Sequence, residues 1–578
     1  MAKPETADPA DGSAPRVWWQ RLNAANSGKV ALPEAEPLVR EHLRWHRSAD
    51  AALLRRAYAV AHHLHDGQMR KSGEPYITHP LAVAMILAEV GMDTATLVAA
   101  LLHDTVEDTP FGIGHLAADF GEEVAVMVDG VTKLDKSMYG DAAAGETFRK
   151  MVLAAAADLR VLLIKLADRI HNMRTLRFQP PHKRRKIAQS TRDQLIPFAE
   201  RLGVYHFMRE LEDLCFEYLE TEAYERTLAA RDAARRLDYA ELNETVEELR
   251  SVLAGFRVKA DVVVRERHLY SIHTSRHGDM AGLDPFTISR ISVVVRRAER
   301  DCYIALGAIH GRWRPIPARF KDFIAVPKYN LYRALHTVVI KPGGRMFDIL
   351  IRSAEQFRVS EYGLIAHVAD ATSKDGRRAV THRPDLEWLQ RLLAWQGQAD
   401  AEDLLAGVRS DLAPDGMVTF TREGVLVSLP KGSTPLDFAY NLDPDCGDNY
   451  MGAMVDGKLV SATSPLRDGS IVEILTGSSS GPDEEWLNVV KTGPARVGIS
   501  RQLSRRRFEK SAARGRHLLA DDLRRLGVDL TEIEASGTAT SVARKLGYAE
   551  LDSLYAAADS EDVGVAEIVE AMTRRAAR

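Results

Sequence analysis

The chain has 578 residues, of which 45% are hydrophobic and 27% charged, as expected for a globular protein of several domains. Its net charge of −4 argues against a protein that coats nucleic acid over its whole surface, although local basic patches remain compatible with it. Its three cysteines follow no metal-binding or disulfide spacing, and no apolar run is long enough to span a bilayer. We therefore expect a cytoplasmic protein without a membrane partner.

Hydrophobic periodicity changes several times along the chain and predicts separate domains. Residues 1–45 are at first rich in Ala, Pro, Glu and Asp, which is typical of a mobile tail. Helical periodicity then dominates from about residue 50 to residue 225. Beyond residue 239, β-branched segments alternate with helical ones and predict a mixed α/β domain. A compact strand-rich unit and a final helical region follow.

The most informative stretch is VAALLHDTVEDT, which spans Val98 to Thr109. Helical spacing puts His103 and Glu107 on neighbouring turns of one face, and it does the same for Asp104 and Asp108. Unpaired carboxylates are costly to bury, so this cluster is either solvated or holds a cation. A His-Asp pair alone occurs by chance in any long protein.

Two further motifs favour the cation. His79 ends the segment YITH upstream, and Asp168 begins the segment DRIHN downstream. Together with the His-Asp pair, these residues supply two imidazoles and two carboxylates from separate helices, and a divalent metal bound there would keep room for water. Such a metal activates water, and Glu107 and Asp108 are placed to move a proton or orient that water. The sequence therefore predicts a phosphohydrolase site.

The same region resembles the HD hydrolase domain of the long RelA/SpoT homologues, which make and degrade the alarmones guanosine tetra- and pentaphosphate, (p)ppGpp. The matching motifs are RKSGEPYITHP (70–80), LLHDTVEDT (101–109), VTKL (131–134), FRKM (148–151) and KLADRIHNMRTL (165–176). The resemblance implies an all-α HD hydrolase, a mixed α/β nucleotidyltransferase-like synthetase, a small β-grasp TGS domain and a helical C-terminal domain.

The resemblance also implies where each domain lies. We expect the tail at residues 1–45, the HD hydrolase domain at 46–200, a helical linker at 201–242, the synthetase-like domain at 243–373, a helical connector at 374–412, the TGS domain at 413–477 and the helical domain at 478–578. The family's zinc-finger-like and ACT domains are not expected in this chain.

For the HD domain, the resemblance implies a manganese-dependent hydrolase that removes pyrophosphate from the 3′ position of ppGpp or pppGpp and leaves GDP or GTP. The implied metal ligands are His79, His103, Asp104 and Asp168. The residues implied to handle the attacking water are Glu107 and Asp108. The residues implied to bind the nucleotide are Arg70, Lys71, Ser72, Asn172 and Thr175.

The second domain keeps the synthetase motif GRWRPIPARFKDFIAVPKYNLYRALHT (311–337) but departs from the family at a metal position. Pyrophosphate transfer from ATP needs acidic residues that hold magnesium. The family's aspartate aligns with Ile288, which cannot bind a metal. We therefore expect an inactive synthetase-like domain in which Mg²⁺ binding is doubtful. The candidate nucleotide-binding residues that it retains are Asn330, Tyr332 and His336.

Three alternatives stay open. The protein is a bifunctional synthetase/hydrolase if Asp284 or Asp348 holds magnesium instead. It is a non-catalytic alarmone- or RNA-binding regulator if the TGS domain and the basic run 501–516 contact RNA, tRNA or the ribosome. Asp443, where the family commonly has histidine, should weaken such a contact with a phosphate backbone. Finally, the HD site can act on another 3′-phosphorylated nucleotide.

Overall fold

The computed structural model describes residues 33–139, 154, 158–326, 332–363, 416–477, 481–560 and 562–576. The chain divides into two compact units, Met1–Leu393 and Ala394–Arg578. The first unit contains a helical domain and an α/β domain, and the second contains a small mixed sheet and a helical domain. This confirms the predicted multidomain fold class. Among the described residues, no helix combines the length and the apolar character that a membrane crossing requires.

The first unit begins with a run of helices. They are α1 (Glu36–Trp45), α2 (Ala51–Leu64), α3 (Thr78–Glu89), α4 (Thr94–Leu102), α5 (Thr105–Asp108), α6 (Ile113–Phe120), α7 (Glu122–Tyr139), α8 (Leu159–Arg174), α9 (Pro181–Ser190), α10 (Ile196–Arg201), α11 (Tyr205–Leu219), α12 (Thr221–Arg235) and α13 (Ala240–Gly255). A π-helical turn, Thr191–Leu195, joins α9 to α10.

The predicted mobile tail extends too far along the chain. Residues 36–45 form helix α1, in which Leu38, Val39 and His42 are buried on one face. The His42 Nε2 atom lies 2.9 Å from Thr94 Oγ1 at the start of α4. The polar composition that is typical of a tail therefore ends before helix α1, whose residues follow the amphipathic pattern of a helix. Residues 1–32 lie outside the described residues.

Helix α4 forms the centre of the helical domain, because every residue from Leu97 to Leu102 is fully buried. It ends at Leu102, and α5 is a separate turn. His103 and Asp104 lie at this junction, rather than inside one continuous helix as the spacing predicts. Both keep right-handed helical backbone angles, with φ of −61° and −86°, so the chain direction is nearly maintained.

The α/β domain is built on a six-stranded sheet. Its elements in chain order are β1 (Ala260–Glu266), α14 (Leu269–Ser275), α15 (Pro285–Ile288), β2 (Ser289–Val295), α16 (Arg300–Arg312), β3 (Arg314–Pro315), β4 (Lys321–Asp322), β5 (Leu335–Ile340), β6 (Met346–Ser353) and α17 (Ala354–Tyr362). The strand order is β1-β2-β6-β5-β3, with β4 pairing with β5. Strands β2 and β6 are parallel, and the other pairs are antiparallel.

Alternate residues of this sheet face opposite sides. On one side, residues such as Ile291 of β2 and Ile349 of β6 form a core with helices α13 and α16. Residues of the opposite parity, including Arg265, Arg290 and Arg352, belong to the other side.

Two neighbouring residues of α11 connect the domains of this first unit. Glu210 accepts hydrogen bonds from Arg174, at the end of α8, at 2.5 and 2.9 Å. Arg209 pairs with Glu361 of α17 in the α/β domain. Helix α11 is therefore held by ion pairs on both sides.

The second unit begins with a five-stranded mixed sheet in the order β10-β9-β11-β7-β8. Its elements are β7 (Gly416–Thr421), β8 (Leu426–Pro430), α18 (Pro435–Leu442), α19 (Pro444–Asp448), β9 (Tyr450–Val455), β10 (Lys458–Val460) and β11 (Ile471–Thr476). The helices that follow are α20 (Trp486–Val489), α21 (Gly493–Arg525), α22 (Leu530–Ala535), α23 (Thr538–Lys545), α24 (Leu551–Asp559) and α25 (Val565–Ala576).

A buried carboxylate joins this sheet domain to the two residues that precede α21. Asp437 is fully buried in α18, and its Oδ1 accepts from the backbone N–H groups of Lys491 and Thr492 at 2.8 and 2.7 Å. Its Oδ2 accepts from the Thr434 N–H at 2.8 Å. Because these donors come from both domains, the carboxylate is satisfied only when the two are packed together.

Helices α21 and α24 pack at very short range around Gly515. A Cβ atom at this position would lie 1.8 Å from the Tyr555 carbonyl oxygen. Only glycine allows this approach, so the position determines how closely the two helices pack.

Replacing Gly515 with alanine should push α21 and α24 apart and destabilise the C-terminal helices by about 1–3 kcal/mol. We expect faster amide hydrogen exchange across both helices of the full chain. Gly307→Ala is the matched control, because it lies within α16 and its Cβ would meet no atom within 4 Å. That change should be neutral or stabilising by about 0.5–1 kcal/mol. Unchanged exchange in Gly515→Ala would contradict the close packing.

Candidate metal centre

Three side chains meet where helix α3 passes the junction of α4 and α5. His79, His103 and Asp104 each offer one donor atom, and these atoms lie within 4.8 Å of one another. Both imidazoles are almost fully buried, whereas the Asp104 side chain retains 18% of its exposure. The group is therefore closed by protein on the imidazole side and reachable on the carboxylate side.

The orientation of His103 follows from its hydrogen bond to the helix that it ends. Its Nδ1 lies 2.8 Å from the Ala100 carbonyl oxygen, which can only accept, so Nδ1 carries the proton. In the neutral ring, Nε2 then presents a lone pair. This buried atom lies 3.0 Å from Asp104 Oδ1 but has no well-directed hydrogen-bond partner among the described residues.

The orientation of His79 depends on two residues from other segments. Arg70 Nη1 donates to His171 Nδ1 at 2.9 Å, so this nitrogen is an acceptor. His79 Nδ1 lies 2.8 Å from the same atom and must therefore be the donor. Burial, together with the charges of His79 and Arg70, lowers the pKa of His171 to about 3, which agrees with its role as a neutral acceptor. The His79 Nε2 lone pair consequently points into the site.

Asp168 lies beside this group but is already strongly bonded. Its Oδ1 is 3.1 Å from His79 Nε2 and accepts from Asn172 Nδ2 at 2.6 Å. Its Oδ2 accepts from Lys165, a lysine with no exposed side-chain surface, at 2.5 Å. Burial would raise the pKa of Asp168, but the charge of Lys165 keeps it well below its ordinary value. Asp168 is thus a fixed anion at the edge of the three-residue group.

The donor set fits a divalent cation. Both Nε2 lone pairs face carboxylate oxygens at 3.0–3.5 Å, an arrangement that is repulsive unless a proton or a metal ion lies between them. Burial disfavours the charged His103 ring, yet the attraction of Asp104 raises the pKa of His103 to about 9. Mixed imidazole and carboxylate donors suit manganese, zinc and iron.

The two residues predicted to handle water lie one turn beyond the His-Asp pair. Asp108 is linked to Asp104 by Tyr76, whose hydroxyl lies 2.9 Å from an oxygen of each carboxylate. Burial and these two charges raise the pKa of Tyr76 far above its usual range, so it remains a neutral donor. Its ring stacks on His65 at 4.6 Å. Glu107 is exposed on the same turn.

The predicted nucleotide-binding residues divide into two groups. Arg70 and Asn172 are hydrogen-bonded to each other at 3.0 Å, next to the metal ligand candidates. Lys71, Ser72 and Thr175 do not contact that group directly. Lys71 bonds Gln179, Ser72 bonds Glu74, and Thr175 bonds backbone carbonyls of its own helix. Lys71, Ser72 and Thr175 can therefore exchange these local hydrogen bonds for hydrogen bonds to a ligand.

Three residues of this network have no role in the sequence-based assignment: Tyr76, Lys165 and His171. Each lies within a quoted motif, three residues from a predicted ligand, which is one helical turn or a tight turn away. Spacing alone does not reveal them, because the contacts of Tyr76 and His171 join segments that are distant in sequence.

The α/β domain holds Ile288 at the position where the resemblance predicts a metal-binding acid. Ile288 is fully buried at the end of α15 and packs with Ile272 and Leu283 in a small apolar cluster. Asp284 caps α15 and pairs with Arg345. Asp348 on β6 pairs with Arg267 and lies 3.6 Å from Arg290 Nε. Asp284 and Asp348 therefore both already have arginine partners.

Two of the candidate nucleotide-binding residues of this domain are described. Tyr332 and His336 are joined by a 2.7 Å hydrogen bond between the hydroxyl and Nε2. Asn330 lies outside the described residues. The aromatic pair therefore remains a candidate platform for a base.

Comparisons with known proteins assign the four domains. The chain matches the HD domain at residues 57–205, the "region found in RelA / SpoT proteins" at 265–374, the TGS domain at 417–476 and the RelA/SpoT AH domain at 503–573. An HD domain is a metal-dependent phosphohydrolase fold, which agrees with the donor set at His79, His103 and Asp104.

Relatives with curated names extend over nearly the whole chain. It is 41% identical to a GTP pyrophosphokinase of Streptomyces coelicolor, over 97% of this chain and 68% of the relative. It is 41% identical to the bifunctional (p)ppGpp synthase/hydrolase RelA of Mycobacterium tuberculosis, over 93% and 74%. It is 38% identical to a guanosine-3′,5′-bis(diphosphate) 3′-pyrophosphohydrolase of Aquifex aeolicus, over 87% and 71%. The chain belongs to the RelA/SpoT family.

Removing one imidazole should disable the metal centre. We expect isothermal titration with Mn²⁺ to give one site in the HD domain, and His103→Ala to weaken it roughly 100-fold or more. Lys165→Met, which removes an outer partner of Asp168, should weaken it roughly 10–100-fold. His62→Ala is the control, because His62 is an exposed residue of α2. Equal Mn²⁺ affinity in the wild type and His103→Ala would place the cation elsewhere.

Proposed function

We propose that this protein is a manganese-dependent (p)ppGpp 3′-pyrophosphohydrolase whose synthetase-like domain is inactive. The contrast between the two sites carries this proposal. The HD domain has inward-facing imidazole lone pairs beside two carboxylates, whereas the α/β domain has the buried Ile288 where the resemblance predicts a metal-binding acid. In the overall reaction, ppGpp and water give GDP and pyrophosphate, and pppGpp and water give GTP and pyrophosphate.

The metal ion would lower the pKa of a bound water and polarise the 3′-diphosphate. Its ligands in this proposal are His79, His103, Asp104 and Asp168. Lys165 and Asn172 hold Asp168 in place, so this carboxylate cannot swing away when a ligand enters. Fixed donors of this kind reduce the reorganisation that the site undergoes during the reaction.

Proton transfer in this proposal depends on the turn that follows the ligands. Asp108 and Glu107 accept the proton of the attacking water or orient that water. Tyr76 holds the Asp108 carboxylate toward Asp104 through its shared hydroxyl proton. A water molecule oriented by Asp108 and Glu107 would attack the phosphorus atom that joins the 3′-diphosphate to the ribose.

Positive charge for the substrate comes from the turn before Tyr76. Arg70 and Lys71 supply fixed positive charge for phosphate groups, and Ser72 supplies a hydroxyl. Gly73 closes this turn with a φ of +85°, a conformation that favours glycine. Asn172, which accepts a hydrogen bond from Arg70 at 3.0 Å, lies on α8, and Thr175 follows this helix.

A bifunctional enzyme is the second candidate, and the name of the Mycobacterium tuberculosis relative, a bifunctional (p)ppGpp synthase/hydrolase, favours it. It would require Asp284 or Asp348 to bind magnesium. Each acid would first have to release its arginine partner, which costs an ion pair before any metal is bound. We therefore propose that synthesis is lost.

The basic helix α21 gives weak support for an RNA contact. Its arginines form ion pairs within the second unit, including Arg501 with Asp448, Arg514 with Asp559 and Arg516 with Glu534. Asp443 caps the short helix α19 by accepting from the Asp445 N–H. Any RNA or ribosome contact here would compete with these pairs, so we propose at most a weak one.

Assays of both directions test the proposal. With Mn²⁺, the purified chain should hydrolyse ppGpp and pppGpp. With Mg²⁺, it should form no alarmone from ATP and GDP or GTP. His103→Ala and Asp104→Ala should abolish hydrolysis. Alarmone synthesis by the wild type would disprove the inactive domain, and full hydrolysis by His103→Ala would disprove the assignment of the site.

The water-handling residues can be separated from the ligands by a second assay. We expect Glu107→Gln and Asp108→Asn to lower kcat for ppGpp by about 10²–10⁴-fold while Mn²⁺ affinity stays within a few-fold of the wild type. Glu122→Gln, at an exposed residue in the first turn of α7, is the control and should change neither value. A change in metal affinity without a change in kcat would contradict the proton-transfer role.

A further inference from the structure

Strand β1 forms one edge of the six-stranded sheet, and no strand of the described residues pairs with its other edge. The Arg267 N–H, just beyond β1, donates to the Ile288 carbonyl, just before β2, at 2.8 Å. Backbone groups alternate in direction along a strand, so the odd-numbered residues of β1 are the ones that bond β2. The backbone groups that point to the open edge belong to Ala260, Val262, Val264 and Glu266.

The side chains on the outer side of this strand form a symmetric pattern. Val263 lies at the centre and is 44% exposed. Asp261 precedes it by two residues and Arg265 follows it by two, and both are also well exposed. Charged residues on an edge strand usually discourage pairing with another chain. Here the two charges have opposite signs and equal spacing from Val263, so an antiparallel copy of the same strand would be complementary.

We propose that the open edge of β1 is a docking surface for a second copy of this chain, whose β1 pairs with it antiparallel. In this pair, Val263 lies opposite the partner's Val263, on the two-fold axis. Asp261 lies opposite the partner's Arg265, and Arg265 lies opposite the partner's Asp261. These three positions are not hydrogen-bonded pairs, so their side chains approach closely, and opposite charges there stabilise the pairing.

Other registers that use the same backbone groups lack this complementarity. A shift of two residues in one direction would place Arg265 opposite the partner's Lys259, which is repulsive. The same shift in the other direction would place Asp261 opposite the partner's Arg267, which Asp348 already engages. The charges therefore favour a single register.

A cavity beside the start of β1 fits the same register. It has a volume of about 390 Å³ and is lined by Arg250, Leu253, Ala254, Val258, Lys259, Ala260 and Arg296. In the proposed pair, Ala260 lies opposite the partner's Glu266, on the side of the sheet that α13 covers. The Glu266 carboxylate would thus enter a cavity that has three cationic groups. Within its own chain Glu266 pairs with Arg235, and both side chains are partly exposed, so this pair is weak and easily exchanged.

One side chain already occupies part of the edge. Arg250 donates to the Val262 carbonyl at 3.0 Å and also pairs with Glu247. A carbonyl oxygen can accept two hydrogen bonds, so Val262 can receive a strand hydrogen bond as well. The Arg250 side chain is 49% exposed and has room to turn toward the partner's Glu266.

The pair is small, because β1 has seven residues. It buries less than the roughly 800 Å² per partner of a standard interface, so we expect a dimer that forms as concentration rises. The inference concerns the α/β domain and does not rest on the proposed hydrolase function.

Cysteine cross-linking of the full chain tests the register. Cys446→Ser is the background, because Cys446 is the one native cysteine that is not buried. Val263→Cys should form a disulfide dimer under mild oxidation, because opposing residues of this kind have Cα atoms about 4.5 Å apart, within disulfide range. Leu459→Cys is the matched control, because Leu459 is also an exposed aliphatic residue of an edge strand, β10, and should not cross-link.

Two further variants separate this register from non-specific collision. Asp261→Cys alone should not cross-link, because the two copies of this residue would be about 13 Å apart. Mixing Asp261→Cys with Arg265→Cys should give the mixed disulfide dimer, because these positions face each other across the pair.

Sedimentation velocity of the chain without engineered cysteines tests the dimer itself. We expect a monomer–dimer equilibrium between about 1 and 100 µM. Val263→Lys should shift dimerisation to a concentration about tenfold higher or more, because two ammonium groups would meet on the axis. Val126→Lys is its control, at an exposed valine of α7, and should leave the equilibrium unchanged.

Circular dichroism checks that the variants fold. A wild-type chain that stays monomeric would leave this edge to solvent or to a different partner and would overturn the proposal. A dimer that Val263→Lys leaves unchanged, or equal cross-linking of Val263→Cys and Leu459→Cys, would overturn it as well.

Discussion

Two imidazole nitrogens held with their lone pairs toward carboxylates are the constraint around which the HD domain is arranged. Neither ring can turn away, because His103 is fixed by the Ala100 carbonyl and His79 by His171. The imidazoles and carboxylates stay close together despite their repulsion because the surrounding helices are tightly packed. The residues of α4 that precede His103 are fully buried. The apolar packing therefore keeps these donor atoms close together, and either a proton on His103 or a bound cation relieves their repulsion.

The outer side of the α/β sheet has a charge arrangement opposite to that of the candidate metal centre. Where the helical domain places negative charge for a cation, the outer side of the sheet places positive charge and keeps Asp348 and Glu361 as internal counter-ions. Ile288, at the position where the resemblance predicts a metal-binding acid, packs in a small apolar cluster. That cluster is separate from the core on the other side of the sheet, so the main packing of the domain does not depend on Ile288.

The sequence is sufficient to predict the four-domain order and the cluster at His79, His103 and Asp104, because local motifs and periodicity carry that information. It fails where the outcome depends on tertiary contacts. Helix α1 is hidden by the polar composition of the preceding residues, and the break between α4 and α5 is invisible to a helical repeat. The roles of Tyr76 and His171 depend on partners 28 to 101 residues away in the chain. The pairing of Asp348 with arginines likewise appears only when the strands are in register.

The buried carboxylate of Asp437 has a consequence for where a domain can be cut. The TGS match ends at residue 476, whereas two of the backbone donors to Asp437 belong to Lys491 and Thr492. A fragment ending at that sequence boundary would keep the charge but lose its Oδ1 partners, at a cost on the order of a few kcal/mol. A fragment that keeps both donors thus extends at least to Thr492, the residue that caps α21. Similarity defines one boundary for this domain, and hydrogen bonding defines another.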